Sequence, residues 1–204
     1  MKRGTQIGLG CLGLAFVGFV IAGLSVGKIY NDAIALDQDV NSKWAQVQNV
    51  YQRRADLVPG LVATVKGYAA HESEVLQEVT ASRSRAGSIQ VSESILNNPA
   101  EFQKFQQAQA SLSGALSRLL VVVERYPDLK ANQNFLDLQH QLEGTENRIA
   151  VERKRFNESA QMYNTRIRQF PANIVTGHFG FKEKQYFQAT EGSERPPVVD
   201  FEKK

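Results

Sequence analysis

One long periodic segment constrains the fold of this chain more than any other feature. Between about Asn134 and Gln169 the sequence contains no proline, and its apolar residues recur at gaps of three, four and seven. This spacing places them on one face of a helix that is about 50 Å long, at roughly 1.5 Å per residue. The apolar stripe consists of Phe135, Leu138, Leu142, Ile149, Phe156, Ala160, Tyr163, Ile167 and Phe170. A helix with one long apolar face is unstable alone in water, so we expect partner helices of similar length.

The N-terminal region contains an uncharged, mostly apolar run from Ile7 to Val26. About twenty such residues match the thickness of the hydrocarbon core of a bilayer, so residues 1–28 are predicted to form a transmembrane anchor. A cleaved signal peptide is one alternative, but the run is longer than a typical signal sequence. A lipoprotein acylated at Cys11 is another, but the apolar run continues well past that cysteine.

The charges around this run indicate its orientation. Lys2 and Arg3 precede it, whereas Lys28 is soon followed by several aspartates. The positive-inside rule therefore favours a cytoplasmic N-terminus and an extracytoplasmic body.

Two helices are predicted between the anchor and residue 86. An apolar stripe indicates a first helix over residues 29–56, and Pro59-Gly60 is expected to end it because proline disfavours a helical residue before it. A second helix is then expected from Pro59 to Ala86. The alternative is one long helix kinked at Pro59, which would lack a partner over half of its length.

The remaining boundaries are marked by proline. Residues 87–98 read as a long connection, after which Asn98 is a predicted N-cap and Pro99 the first residue of a third helix. This helix is expected to end before Tyr126-Pro127, and the long fourth helix before Phe170-Pro171. The prediction is an all-α protein, with the N-terminal transmembrane helix followed by an antiparallel four-helix bundle over residues 29–171.

The C-terminal segment, residues 172–204, lacks a helical period but is rich in aromatic residues. We expect an extended tail packed on the bundle, and a partly disordered end is the alternative. Hydrophobic residues make up 42% of the chain, which is enough to bury a core. The net charge of +3 comes without a basic stripe, so no nucleic-acid partner is expected. The single cysteine excludes intramolecular disulfides and metal sites built on several thiolates.

Several short motifs in the body resemble the LemA family. They begin with Lys43-Trp44-Ala45-Gln46-Val47, continue through Tyr51 to Pro59, Val65 to Ala69 and His71-Glu72, and include Leu119 to Val122, Glu124 to Pro127, Leu129 to Asn132, Leu142 to Ile149, Phe156-Asn157, Tyr163-Asn164 and Phe170-Pro171. The resemblance covers nearly the whole chain from Tyr30 to Phe187, together with the anchor. It implies a bacterial single-pass membrane protein with a four-helix-bundle body, located in the cytoplasmic (inner) membrane. It supplies no catalytic residues.

A metal centre is not expected. A di-metal bundle needs two Glu-x-x-His motifs, and among His71, His140 and His178 only Asp137-Leu138-Gln139-His140 approaches that spacing. Glu143 and Glu146 lie on adjacent turns, but the sequence does not supply the remaining ligands. No cofactor is predicted.

A set of polar residues on the first and fourth helices is the main candidate site. We predict a partly buried charge network, and two solvated helix faces are the alternative. Gly144 lies in the middle of the fourth helix, where a close helix or tail crossing would explain a glycine. A Gly144→Leu substitution is then expected to destabilise the protein strongly. The predicted network comprises Arg53, Arg54, Glu143, Glu146, Asn147 and Arg148.

The sequence therefore predicts a membrane-anchored, non-enzymatic helical-bundle protein. Its expected role is that of a self-assembling scaffold or adaptor, with membrane lipid, further copies of itself and unidentified proteins as partners. A membrane-tethered sensor domain that binds a ligand is one alternative, and a metal-dependent bundle enzyme is another.

Overall fold

The first helix extends from the N-terminal apolar run to the far end of the body. The computed structural model describes residues 2–89 and 93–188, with side chains from Phe16 onward except at Ala22. Helix α1 spans Lys2–Tyr68, which is about 100 Å at roughly 1.5 Å per residue. The predicted anchor and first bundle helix are therefore one continuous helix, although the side chain of Ile7 lies outside the described part.

The described residues are helical almost throughout and contain no strand. After α1 come α2 (Ser73–Ser88), a 3-10 turn (Glu93–Asn97), α3 (Pro99–Val123), α4 (Pro127–Lys130), α5 (Gln133–Arg168) and α6 (Ala172–His178). The predicted all-α class is confirmed. The third and fourth predicted helices are also confirmed as α3 and α5, to within a few residues at each end.

The predicted chain reversal at Pro59 is wrong. Helix α1 continues through this proline and ends nine residues later, at Tyr68. Proline lacks the N–H that would bond to the carbonyl of Ala55, four residues earlier. The Arg83 side chain on α2 takes that role, because its Nε donates to the Ala55 carbonyl at 2.8 Å. A tertiary contact therefore satisfies the group that proline leaves unpaired, and α2 begins only at Ser73.

Helix α5 is the partner that α1 was expected to lack. The two helices run antiparallel, since Arg166 pairs with Asp32 at 2.8 Å near one end and the Asn132 amide donates to the Tyr68 hydroxyl at 2.9 Å near the other. The two helices are in contact at Gly60, where an added Cβ would lie 3.5 Å from the Leu138 side chain, an ordinary van der Waals distance. The 36-residue α5 thus accompanies the body portion of α1 over its full length.

Gly144 has a different environment from the one expected. An added Cβ there would meet nothing within 4 Å, and the residue is exposed. The expected close crossing is absent at this position, so Gly144→Leu has no steric reason to destabilise the fold.

Helices α2 and α3 form the second antiparallel pair. Arg118 of α3 forms an ion pair with Glu78 of α2, and the Ser82 and Ser111 hydroxyls lie 3.4 Å apart. The start of α3 is fixed locally, because the Asn98 side chain accepts hydrogen bonds from the Ala100 and Glu101 amides. The predicted N-cap is therefore confirmed.

The buried side chains form two large hydrophobic clusters along the body. The cluster nearer the N-terminal apolar run surrounds Trp44, which contacts Phe102, Phe105, Phe156 and Phe187 with ring centroids 5.3–6.1 Å apart. The distal cluster joins the end of α1 to α2, α3, α4 and the start of α5.

The C-terminal segment is helical at first, contrary to the prediction of an extended tail from residue 172. Residues Ala172–His178 form α6, because Ala172 and Val175 pack against Ile29 of α1. The chain then turns at Gly180, whose φ of +75° favours glycine, and residues 181–188 run back along the body. Residues 189–204 of the predicted tail lie outside the described residues.

Candidate functional site

The apolar stripe of α1 contains one charged position, Arg54. From Val40 to Val65 the buried residues of α1 alternate at spacings of four and three, the pattern of a helix packed on long partners. They are Val40, Trp44, Val47, Tyr51, Arg54, Val58, Leu61 and Val65. Only 1% of the Arg54 surface is exposed, so the guanidinium lies inside the body.

The Arg54 guanidinium connects three helices. Its Nη1 donates to Glu146 Oε1 on α5 at 2.9 Å and to Ser113 Oγ on α3 at 2.6 Å. Its Nη2 donates to the side-chain and main-chain oxygens of Gln109 on α3, at 2.5 and 3.2 Å. Its Nε is buried and unpaired within the described part of the molecule. The predicted pair of Arg54 and Glu146 is thus brought together in the structure.

These residues form a polar layer between the two hydrophobic clusters. Arg54 lies between Tyr51 and Val58 on α1, and Gln109 lies between Phe105 and Leu112 on α3. We use the name polar layer for Arg54, Gln109, Ser113 and Glu146. A buried charge with one counter-charge contributes little net stability, but it makes other pairings of the helices costly.

Charge in the polar layer is unevenly shielded from water. The Glu146 side chain is 39% exposed, whereas that of Arg54 is almost fully buried. The Arg54 guanidinium also lies 5.0 Å from the centre of the Tyr51 ring, a cation–π distance. Burial raises the pKa of Tyr51, although the nearby Arg153 and Arg54 oppose this effect. Tyr51 is therefore neutral at physiological pH.

A cleft between α3 and α5 leads to the polar layer. Its volume is about 490 Å³, and five of the twelve residues that line it are glutamines. The Ser113 hydroxyl in the cleft accepts from Arg54 rather than facing a general base. The cleft offers amide donors and acceptors to a polar molecule. Its lining includes Gln103, Gln106, Gln107, Gln109, Gln188, Ser113, Glu146 and Arg153.

We compared the sequence with models of known protein families. The LemA family matches residues 43–201, which is most of the chain and contains the whole polar layer. The chain belongs to the LemA family. The resemblance inferred from the sequence motifs is therefore confirmed.

Curated relatives of this LemA-family protein are of two kinds. Magnetosome protein MamQ 2 of Paramagnetospirillum magneticum is 26% identical over 186 residues, covering 83% of this chain and 68% of the relative. Magnetosome protein MamQ of Magnetospirillum gryphiswaldense is 26% identical over 218 residues, covering 98% and 78%. Protein LemA of Metamycoplasma hominis is 26% identical over 175 residues, covering 82% and 76%.

The other four residues of the predicted network lie outside the polar layer. Arg53, Glu143, Asn147 and Arg148 are all exposed. Glu143 accepts a hydrogen bond from Gln139 at 3.0 Å on the helix surface. Asn147 and Arg148 line a shallow depression on another side of α5. These four residues, one on α1 and three on α5, fit the alternative of two solvated helix faces.

Sequence reasoning missed two asparagines that hold the C-terminal segment in this LemA-family protein. Asn164 on α5 accepts from the Lys184 amide at 2.8 Å and donates to the Lys184 carbonyl at 2.9 Å. Asn157 makes the same pair of bonds with Phe187, both at 2.9 Å. We call residues 181–188 the strap. The seven-residue spacing of two asparagines on the core side of α5 was the available signal.

The geometry of the strap follows from this spacing. Seven helical residues rise about 10.5 Å, and the strap covers that distance in the three residues from Lys184 to Phe187. Three residues span such a distance only when the backbone is nearly fully extended. The Phe187 ring then enters the aromatic cluster around Trp44, at 6.1 Å between centroids.

Metal ligands are not gathered at any of these sites. Within residues 16–89 and 93–188 no group of three or more His, Cys, Asp or Glu side chains is arranged to hold a metal ion. His140 lies on the exposed surface of α5, 3.9 Å from Glu143.

The N-terminal part of α1 is long and apolar enough to cross a membrane, and it is the one such helix in the described part of the chain. Only 6% of its most apolar window is buried within the protein, unlike the core helix of a globular domain. Phe16, Phe19 and Leu24 are 68–78% exposed. These side chains need an apolar environment that the body does not supply.

Proposed function

We propose that this LemA-family protein is a membrane-anchored, non-enzymatic scaffold or adaptor whose body is an antiparallel four-helix bundle. The observation that carries the proposal is the continuity of α1, which runs from the apolar segment into the core of the body without a flexible linker. A helix joined in this way holds the body at a set distance and angle from the bilayer. Such geometry suits a protein that positions other molecules at a membrane.

The chemistry of the polar layer supports a structural role. The charge of Arg54 is matched by Glu146, and its terminal nitrogens already bond to Ser113 and Gln109. A catalytic site keeps reactive groups poised toward a substrate. Here the polar groups bond to one another across three helices.

Self-association is the proposed way in which the scaffold assembles. Gly23 and Gly27 form one Gly-x-x-x-Gly pair, the spacing that lets membrane helices approach closely. An added Cβ at either glycine would meet nothing within 4 Å in this chain, so neither glycine serves a contact inside the monomer. A second copy of the anchor is a partner that would use this face.

The test is the mass of the detergent-solubilised full chain, measured by light scattering. We expect a discrete oligomer that Gly23→Leu with Gly27→Leu reduces to smaller species. Gly18→Leu is the matched control, because Gly18 points about 140–180° away from the pair at 100° per residue. A monomeric wild type overturns self-assembly and leaves a tethered adaptor, whereas equal masses for all variants exclude the glycine face.

We further propose that the N-terminus faces the bacterial cytoplasm and the body lies outside the cytoplasmic membrane. The exposed residue Ala70, at the distal end of the body, is suited to a reporter cysteine in a Cys11→Ser chain. A membrane-impermeant maleimide should label Ala70→Cys in intact spheroplasts. Labelling only after lysis places the body in the cytoplasm.

A ligand-binding sensor is the second candidate, and the cleft between α3 and α5 favours it. Its amide-rich walls fit a small polar molecule with several hydrogen-bonding groups. A thermal-shift screen of polar metabolites tests this role. A concentration-dependent rise in Tm that Gln107→Leu on the cleft wall abolishes would support the sensor, and no shift at millimolar concentration would exclude it for the compounds screened.

A further inference from the structure

The turn between α5 and the strap lies at the end of the body nearest the anchor. Helix α5 runs toward the anchor and ends at Arg168. Residues 169–180 then reverse the chain, and the strap runs back along α5, away from the anchor. The inner face of α6 packs on Ile29 through Ala172 and Val175. Ile29 follows the last apolar residue of the anchor, Val26, by only three residues, or about 4.5 Å along the helix.

This turn exposes large apolar side chains. Phe170 is 80% exposed, Ile174 is 64% exposed and Phe179 is 54% exposed. The Phe179 ring packs on Tyr30 of α1, with centroids 4.8 Å apart. Exposed apolar residues elsewhere on the body, such as Val121 at the far end, are scattered and need no explanation. Phe170, Ile174 and Phe179 lie within ten residues of one another in this turn, and we call them the patch.

The surroundings of the patch match a membrane–water interface. Aromatic residues concentrate at this level in membrane proteins, because an amphipathic ring suits the headgroup region. Tyr30 supplies such a ring, and Lys28 and Lys182 supply exposed cations near it, while the exposed Arg168 pairs with Glu183 at 3.5 Å. Lysine and arginine beside an apolar patch attract anionic headgroups.

We propose that Phe170, Ile174 and Phe179 form a second membrane contact, in which the end of the body enters the lipid interface beside the anchor. The inference rests on the proposed anchor, because the apolar run of α1 fixes the level of the bilayer. The patch is joined to that run through Tyr30, whose ring contacts Phe179. Two contacts, one spanning and one interfacial, restrain the tilt of the body more than a single helix does.

The experiment uses the full chain in vesicles with lipids brominated on their acyl chains, which quench nearby tryptophans. The natural Trp44 is 1% exposed and lies about 27 Å along α1 from Val26, so its emission gives an unquenched baseline. Four single variants each add one probe at an exposed apolar residue. They are Ile174→Trp, Phe170→Trp, Val121→Trp as the distal control and Phe19→Trp as the anchor control.

We expect the added emission of Ile174→Trp and Phe170→Trp to be lost in brominated vesicles, as for Phe19→Trp, while that of Val121→Trp persists. If only the added emission of Phe19→Trp is lost, the second membrane contact is overturned but the anchor stands. If the added emission of Phe19→Trp persists in brominated vesicles, the anchor itself is overturned. A blue-shifted, unquenched Ile174→Trp emission shows that protein covers the patch instead, and quenching at Val121→Trp shows unspecific adhesion of the whole body.

Discussion

At the scale of single residues, burial of the Arg54 charge costs free energy that its neighbours only partly offset. Its guanidinium is almost fully buried and has one counter-charge, Glu146, which is itself 39% exposed. If Arg54 is removed, Glu146 can turn toward water. If Glu146 is removed, the cation stays buried without its partner. The two substitutions are therefore expected to have unequal effects.

We expect Glu146→Leu to lower the free energy of unfolding by about 2–4 kcal/mol, because it leaves an unpaired buried charge. Arg54→Met should cost less, and the double substitution should recover most of the loss. Glu143→Leu, one turn away and exposed, is the control and should stay within about 0.5 kcal/mol of wild type. Urea denaturation gives all four values. Additive losses in the double variant would contradict direct pairing.

Tyr163 is a buried phenol whose ionisation makes the stability of the fold depend on alkaline pH. Burial raises its pKa to about 12, with a smaller contribution from Asp37, compared with about 10 in an unfolded chain. The folded state therefore favours the neutral phenol. The stability associated with this group is complete below about pH 10 and is lost as the pH rises through about 12.

We expect Tyr163→Phe to lose less stability than wild type between pH 10 and 12, by roughly 2–3 kcal/mol at the upper end, since each pH unit between two pKa values is worth about 1.4 kcal/mol. Lys184 lies 5.4 Å from the centre of the same ring, and this contact is available in both proteins. Only the difference between them reports on Tyr163. Absorbance of phenolate during titration checks the pKa, and parallel stability curves would contradict the assignment.

At the scale of elements, Pro59 and Arg83 form a compensating pair. Arg83→Leu leaves the Ala55 carbonyl without its donor, which is expected to cost about 1.5–3 kcal/mol for a bond to a charged group. In a Pro59→Ala chain the backbone N–H returns and can bond that carbonyl. The same Arg83→Leu substitution should then cost clearly less. Thermal melts of the four chains complete the cycle, and an unchanged cost would show that Arg83 acts through packing alone.

The strap depends on the two asparagines of α5. Asn164→Ala removes two hydrogen bonds to Lys184 and one to Tyr186, and is expected to cost about 3 kcal/mol, at roughly 1 kcal/mol each. Asn147→Ala, exposed on the same helix, is the control. Hydrogen exchange at the Lys184 amide should accelerate in the first variant only. Unchanged protection there would mean that the Phe187 ring alone holds the strap.

The features that could be predicted from the sequence are those determined by residues close together along the chain. Asn98-Pro99 marked the start of α3 because capping is local, and the stripe of α5 required only its own spacing. The continuation of α1 past Pro59 depended on Arg83, which lies on another helix. The role of Asn164 depended on a strap twenty residues away. In the polar layer, the pairing of Arg54 with Glu146 could be predicted from the apolar stripes of α1 and α5. The contacts of Gln109 and Ser113 could not, because they depend on how α3 packs against those two helices.

At the scale of the whole molecule, the length of α1 sets how far the body would reach from a bilayer that holds the proposed anchor. Ala70 follows Val26 by 44 positions, which corresponds to about 66 Å along a helix axis. An average tilt of about 20° shortens this height only slightly. The polar layer lies partway along that axis, so in the proposed arrangement its cleft opens well away from the headgroups. A body lying flat would bring both ends to the surface.

Energy transfer from a labelled cysteine to acceptors on the lipid surface distinguishes these arrangements. In a Cys11→Ser chain, a donor at Ala70→Cys should transfer weakly, and one at Gln169→Cys, beside α6, should transfer strongly. Lys28→Pro, which removes a helical hydrogen bond between anchor and body, should increase transfer from Ala70→Cys by freeing the body to tilt. Lys28→Ala should leave it unchanged. Strong transfer from both labels in the unbroken helix would contradict an upright body, since a straight α1 cannot place Ala70 near the bilayer.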